Sequence, residues 1–168
     1  EGKQYEEYGA GVSIKKVDYS HDLVADEALA FVDRNKDRPF FCYLSTNAPH
    51  GPFHVEQRYI DLYKDNPSIV NPNFYGMIAN IDYNMGLLRQ HLTKLVLAEN
   101  TILIFMTDNG SSGNGYNAGM RGRKGSPYDG GHRTPYFLRW PWGESTATFS
   151  LHRSSRALDE LDRLVAAQ

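Results

Sequence analysis

The sequence predicts an α/β protein. Stretches with helical apolar spacing alternate with short apolar runs, and the two most apolar runs each empty into a polar or glycine-rich loop. No internal repeat or low-complexity tract interrupts the alternation, which implies at least partly parallel strand pairing. The 168 residues suit one domain of ordinary size. With 40% hydrophobic and 23% charged residues the chain can bury a core, and it falls outside the disordered class.

After a polar opening, Asp22 to Lys36 places Val24, Ala28, Phe31 and Val32 at helical spacing, with Ser20 or Asp22 as N-cap. The pattern breaks at Asp37-Arg38-Pro39. Phe40 to Leu44 is short and continuously apolar, the pattern of a buried strand, and it leads into a polar loop from Ser45 to His54. A short helix is expected over Val55 to Lys64, and Pro67 and Pro72 punctuate the segment beyond it. From Phe74 to Glu99 the residues Phe74, Ile78, Ile81, Met85, Leu88, Leu92 and Leu95 recur at steps of four and three. That stripe predicts a helix covering a sheet in preference to a coiled coil. Thr101 to Thr107 is the strongest strand, Pro135 to Trp140 is another, and Leu151 to Val165 predicts a modest terminal helix through Leu158, Leu161 and Val165.

Charge and cysteine usage exclude several classes. A net charge of −2 with no basic stripe removes the electrostatic motive for binding nucleic acid or an anionic membrane. No run approaches the roughly 18 apolar residues of a membrane span, and the opening residues lack the order of a secretion signal, so nothing in the chain is expected to anchor or export it. Cys42, the single cysteine, allows neither an internal disulfide nor a thiolate zinc cluster.

Chemistry is expected beyond the carboxyl ends of the strands. Asp108 and Asn109 set a carboxylate beside an amide oxygen, a pair suited to a hard cation, although Asp-Asn-Gly is equally a turn sequence. In Asn47-Ala-Pro-His50-Gly-Pro-Phe-His54 two prolines restrict the backbone around His50. They could hold an imidazole for anion binding or proton donation, or the loop could be idle surface, and His54 reads as incidental. Arg121 to Pro135 combines cations with glycines that admit close backbone approach. Lys124 there suits an oxyanion such as sulfate or phosphate, the alternative being a flexible basic loop, and the order of a phosphate-binding P-loop is absent.

Four blocks taken together resemble the arylsulfatase family: Pro39 to His50, Tyr75 to Gly86, Asn100 to Gly110 and Arg123 to Pro135. They stand in the family's order and cover about residues 22–141. The resemblance implies an alkaline phosphatase-like three-layer sandwich with a central mixed sheet, incomplete here, and hydrolysis of the sulfate ester of a small molecule or glycan. It implies that Asp108 and Asn109 supply part of the ligand set of one calcium ion. It implies that His50 and Lys124 are the catalytic and substrate-binding residues, contacting the sulfate and assisting departure of the alcohol. Tyr128, Asp129, Arg133 and Asp82 match positions read as supporting structure. Family members are commonly periplasmic, extracellular or lysosomal.

One departure from the family changes the expected activity. The family's nucleophile is a formylglycine made from the Cys or Ser of a Cys/Ser-x-Pro/Ala-x-Arg motif. Cys42 stands in Cys42-Tyr-Leu-Ser-Thr46, which lacks the required Pro or Ala and Arg, so it reads as a buried strand cysteine and no nucleophile is assigned. The early paired aspartates of the family are also missing. Residues 1–168 are therefore expected to be a partial catalytic domain, inactive by itself, with 150–168 an uncertain terminal helix. A phosphodiesterase or phosphonate hydrolase of the same superfamily is one alternative, and a non-catalytic calcium- or anion-binding remnant is another. Substrate choice is expected from Gly110 to Gly119 and Val55 to Asn73.

Overall fold

The structure is a computed structural model and describes residues 4–8, 11–15, 20–113, 115–142 and 145–150. The chain divides into two compact units, Glu1–Leu97 and Ala98–Gln168. In the first, the polar opening forms a two-stranded antiparallel ribbon of β1 (Gln4–Tyr8) and β2 (Gly11–Lys15), which the sequence pattern did not announce. Helix α1 (Ser20–Asn35) starts two residues earlier than expected, so both Ser20 and Asp22 lie within it and neither precedes it as a cap. Its predicted stripe holds where side chains are described, with Ala28 and Val32 buried. Asn35 closes the helix: its amide donates to Phe31 O at 2.8 Å, and its Oδ1 accepts from Arg38 Nε and Nη2 at 2.9 and 2.6 Å.

The expected Val55 to Lys64 helix is confined to α2 (Gln57–Ile60), followed by turns. Helix α3 (Pro72–Lys94) begins on a proline, with the Asn71 side chain accepting from Phe74 N at 3.1 Å. It packs against α1 and α2. The close approach to α2 is favoured by Gly76, because a Cβ there would crowd Val55 Cγ1 at 3.1 Å and Ile60 N at 3.2 Å. Ala48, Val55, Tyr59 and Met77 form the core of this region, with Ile60, Ala79 and Ile81 packed against it. His91 Nε2 meets Asp33 Oδ1 at 2.9 Å and ties α3 to α1.

The buried face of α3 differs from the predicted stripe. Gly76, Met77, Asn80 and Leu92 are buried, whereas Ile78 is exposed. Asn80 is nearly inaccessible, and Asn84 Nδ2 donates to its side-chain Oδ1 at 3.3 Å, so hydrogen bonding offsets the burial of its amide. Apolar periodicity cannot register a buried asparagine. The helix also ends at Lys94, five residues before the expected limit. Val96, at φ 59°, donates its N–H to Thr93 O, and Leu97 donates to Leu92 O at 2.9 Å, a Schellman closure with valine where glycine is usual.

Two expectations about Phe40 to Leu44 are overturned. The segment enters no ladder among the described residues; Phe41 and Tyr43 are 85% and 80% exposed, and Cys42 is exposed, not buried. A strand requires a partner for its backbone groups, and none pairs here. Partial desolvation still raises the Cys42 thiol above its ordinary value.

The second unit starts with a 3-10 turn at Ala98–Asn100 and contains β3 (Leu103–Met106), α4 (Asp129–His132), β4 (Tyr136–Trp142) and β5 (Ser145–Ser150). The strand order is β3-β4-β5, and Leu103 pairs Arg139 while Met106 pairs Tyr136. All ladders among the described residues are antiparallel, so the mixed sheet expected for the three-layer sandwich is not seen there. Pro141 lies past the end of the β3 ladder, where its missing N–H deprives β3 of nothing. Arg139 donates to Ala98 O at 2.8 Å and to Glu99 Oε1 at 3.2 Å, fixing the turn to β4. The predicted helix from Leu151 to Val165 lies outside the described residues. No described helix is long and apolar enough to cross a membrane.

Candidate functional site

Of the four residues singled out by sequence, His50 lies in the first unit, and Asp108, Asn109 and Lys124 lie in the second. Strand β3 delivers Asp108 and Asn109 two and three residues past its end. Asp108 is exposed and Asn109 half-buried, with the Asn109 amide against Asp108 Oδ2 and Thr107 Oγ1 donating to Asn109 O at 3.3 Å. A carboxylate and an amide thus stand side by side.

The glycine-rich segment is folded onto that strand end by main-chain bonds. Gly110 N donates to Gly131 O at 3.0 Å and Lys124 N to Ser111 O at 3.1 Å, while Gly130 N donates to Arg121 O at 2.8 Å. The backbones are so close that a Cβ at Gly110 would collide with Gly130 O, one at Gly130 with Gly122 O, and one at Gly131 with Ser126 O. Glycine is therefore required by close approach at these positions. The result fixes the backbone of Lys124 against Ser111, two residues past Asn109, with its side chain exposed.

The positions read as supporting structure make local contacts. The Arg121 guanidinium lies 3.7 Å from the centroid of the Tyr128 ring. Asp129 Oδ2 is 3.6 Å from Arg133 Nη1, and Asp129 O accepts from Arg133 N at 2.8 Å. Asp82 is exposed on α3.

His50 sits in a turn in which its N–H donates to Asn47 O at 2.9 Å, between cis Ala48-Pro49 and Gly51-Pro52 bonds. Its side chain is exposed and its Nδ1 lies 2.8 Å from Gly51 O. A carbonyl only accepts, so Nδ1 carries the hydrogen and Nε2 is left for other chemistry. His54 is also exposed.

Sequence reasoning overlooked three residues that shape these loops. Asn117 Nδ2 donates to Met120 O at 2.8 Å and Gly122 O at 3.3 Å, and Ser126 Oγ accepts from Arg123 N at 3.1 Å. Ser111 Oγ is buried with no hydrogen-bond partner among the described residues. The Asn117 and Ser126 bonds serve main-chain groups a few residues away, which the frequency of Asn and Ser in turns could have suggested. No sequence signal marks Ser111. Among the described residues no group of three or more His, Cys, Asp or Glu is placed to hold a metal ion.

A family model described as Sulfatase matches residues 2–163. The uncharacterized sulfatase YdeN of Escherichia coli (strain K12) is 35% identical over 130 residues, which are 73% of this chain and 23% of that protein. Human arylsulfatase A is 30% identical over 161 residues, covering 93% of this chain and 29% of its own length. Among solved structures, the crystal structure of Ps i-CgsB in complex with k-i-k-neocarrahexaose superposes with a TM-score of 0.69 at 34% identity, over 77% of this chain and 31% of that one. The chain thus spans about a quarter to a third of the proteins it matches.

Proposed function

The chain belongs to the sulfatase family, and from that premise we propose that its 168 residues are part of an enzyme hydrolysing sulfate esters. In this reading Lys124 and His50 contact the sulfate, and Asp108 and Asn109 supply part of the ligand set of one calcium ion. The whole fold would be the alkaline phosphatase-like three-layer sandwich of the family. The observation that carries the assignment is the pair of main-chain bonds, Gly110 N to Gly131 O and Lys124 N to Ser111 O, that fixes a lysine backbone against Ser111, two residues past a carboxylate–amide pair. A cation ligand set and an anion-binding ammonium are what a sulfate monoester, oxygen-rich and negatively charged, calls for.

The donor chemistry of Asp108 and Asn109 fits calcium, which takes oxygen ligands from carboxylates and side-chain amides. Calcium binds six to eight oxygens, so these two are a partial set. When bound, the ion supplies positive charge that offsets the charge on the sulfuryl oxygens. Lys124 adds a compact, mobile ammonium on the same group. His50 Nε2, the nitrogen not engaged with Gly51 O, is the atom that can carry a proton to the departing alkoxide. The sequence contains no Cys/Ser-x-Pro/Ala-x-Arg motif, so no residue here is assigned as nucleophile, and these residues alone are expected to be inactive. The similarity to Ps i-CgsB, captured with an oligosaccharide, favours a sulfated glycan as substrate.

The test places this segment in a complete sulfatase domain. His50→Ala and Lys124→Ala should each lower turnover about 100-fold or more, the scale of a lost proton donor. The loss at His50 should shrink for an ester of 4-nitrophenol, whose leaving group needs no proton. Near-normal rates for both variants on an alkyl sulfate would overturn the assignment.

A further inference from the structure

We infer that Phe53 is a specificity-determining residue: its half-exposed ring forms the surface against which the alcohol portion of the ester rests, and it selects ring-bearing alcohols over small acyclic ones. The inference rests on the preceding reading of His50 as the proton donor. It starts from Gly51, the residue both rings adjoin. On one side Gly51 O accepts from His50 Nδ1 at 2.8 Å. On the other, a Cβ at Gly51 would lie 3.8 Å from Phe53 Cζ and 4.0 Å from Cε1 and Cε2. The Phe53 ring therefore folds back along the chain onto Gly51, the residue whose carbonyl binds the imidazole.

The ring is also held. Phe53 O accepts from Asn73 Nδ2 at 3.2 Å across twenty residues, and the ring meets Phe74 edge-on, with centroids 5.9 Å apart. Both partners belong to the first turn of α3, so a regular helix fixes the loop. An apolar side chain held this firmly would be expected to bury itself, yet Phe53 stays 38% exposed. A half-open aromatic face that shares Gly51 with the proton donor is suited to a leaving group that has a flat apolar face of its own. The C–H face of a pyranose and an aryl ring qualify, because the ring's negative π-face attracts the partially positive hydrogens of both.

The full 168-residue chain is titrated with inorganic sulfate, methyl sulfate, phenyl sulfate and galactose 6-sulfate, following the His50 imidazole and Phe53 ring signals by NMR. The two ring-bearing esters should bind about 3–10-fold more tightly than methyl sulfate, the range of an aromatic contact. In Phe53→Ala and Phe53→Leu that ratio should fall to about one while methyl sulfate binding is unchanged; the leucine variant keeps the packing on Phe74. Gly51→Ala, which sets a methyl group against the ring, should reduce the ratio too. Equal affinities in the unmodified chain, or a preference that survives both Phe53 substitutions, would overturn the inference and leave the sulfate reading intact. No response of His50 to any of the four anions would overturn both.

Discussion

The loop carrying His50 and the loops carrying Asp108, Asn109 and Lys124 both come after apolar runs, and they are built by different means. In the second unit, two stretches of backbone are bonded directly through Gly110–Gly131 and Lys124–Ser111, with glycines where any Cβ would collide. In the first, a local turn from Asn47 to His50 is joined to α3 by side chains: the Asn73 amide on Phe53 O, the Phe53–Phe74 ring contact, and Ala48 in one core with Met77. The supports differ in the same way. Strand β3 has β4 as a partner, whereas Phe40 to Leu44 has none among the described residues. Rigidity from main-chain contact is written into composition as glycine; rigidity from a remote side chain leaves no local trace.

The largest expected effect breaks the glycine frame. Gly130→Ala would drive a methyl group into Gly122 O and Arg121 O, both main-chain atoms, and should destabilise the second unit by about 3 kcal/mol or more, the upper range of overpacking. Urea unfolding followed at Trp140, which is in β4, reads it; a change below about 1 kcal/mol, smaller than an ordinary overpacking penalty, would mean that the loops are not closely packed. For the His50 loop, Asn73→Ala removes one hydrogen bond and should cost about 1 kcal/mol. Faster amide exchange confined to residues 50–54 would be its signature, and exchange spreading through α3 would show that the amide supports more than the loop.

A third substitution tests the helix that anchors the first loop. Val96 adopts a left-handed conformation that a β-branched residue tolerates poorly, so Val96→Gly should stabilise the unit by about 0.5–1 kcal/mol after the entropy of glycine is subtracted. A lower melting temperature for this variant would show that the Val96 side chain contributes more than its backbone costs. The smallest effect concerns Asp61, exposed beside α2. Hydrogen bonds from Lys64 and Gln57 hold its carboxyl below the ordinary value, and the same contact raises Lys64. A depressed carboxyl contributes stability above its unfolded value that is lost as pH falls through the folded one, and a raised lysine contributes stability lost at high pH. Lys64→Met should therefore move the Asp61 NMR titration upward; an unmoved midpoint would assign the shift to Gln57.

The sequence made legible what repeats or breaks locally. Helices α1 and α3 followed from their apolar spacing, although α3 starts at Pro72, two residues before the expected Phe74, and β3 and β4 followed from apolar runs. The early end of α3 was hidden because Val96 takes the place of the expected glycine. Its buried face was misjudged because the buried Asn80 side chain is hydrogen-bonded by Asn84, which periodicity ignores. Strands β1, β2 and β5 were missed because short polar strands have no apolar signature. For the candidate site, the residue types and their loops were readable. The main-chain contacts that place Lys124 against Ser111, and the Asn73 tie, are long-range facts that no window of sequence contains.

The pairing of β3 with β4 also has a cost in time during synthesis. Met106 is made thirty residues before its partner Tyr136, and at about 5–20 residues per second the finished strand waits roughly 2–6 s for its nearest ladder contact. Throughout that interval Ile102, Ile104 and Met106 leave the ribosome as an unpaired apolar segment, and the glycine-rich loop that separates the partners cannot shield them. These residues keep an exposed face even after pairing. A nascent chain in which β3 has left the ribosome and β4 has not should therefore be the form most strongly captured by a hydrophobic-binding chaperone, and release should coincide with emergence of β4.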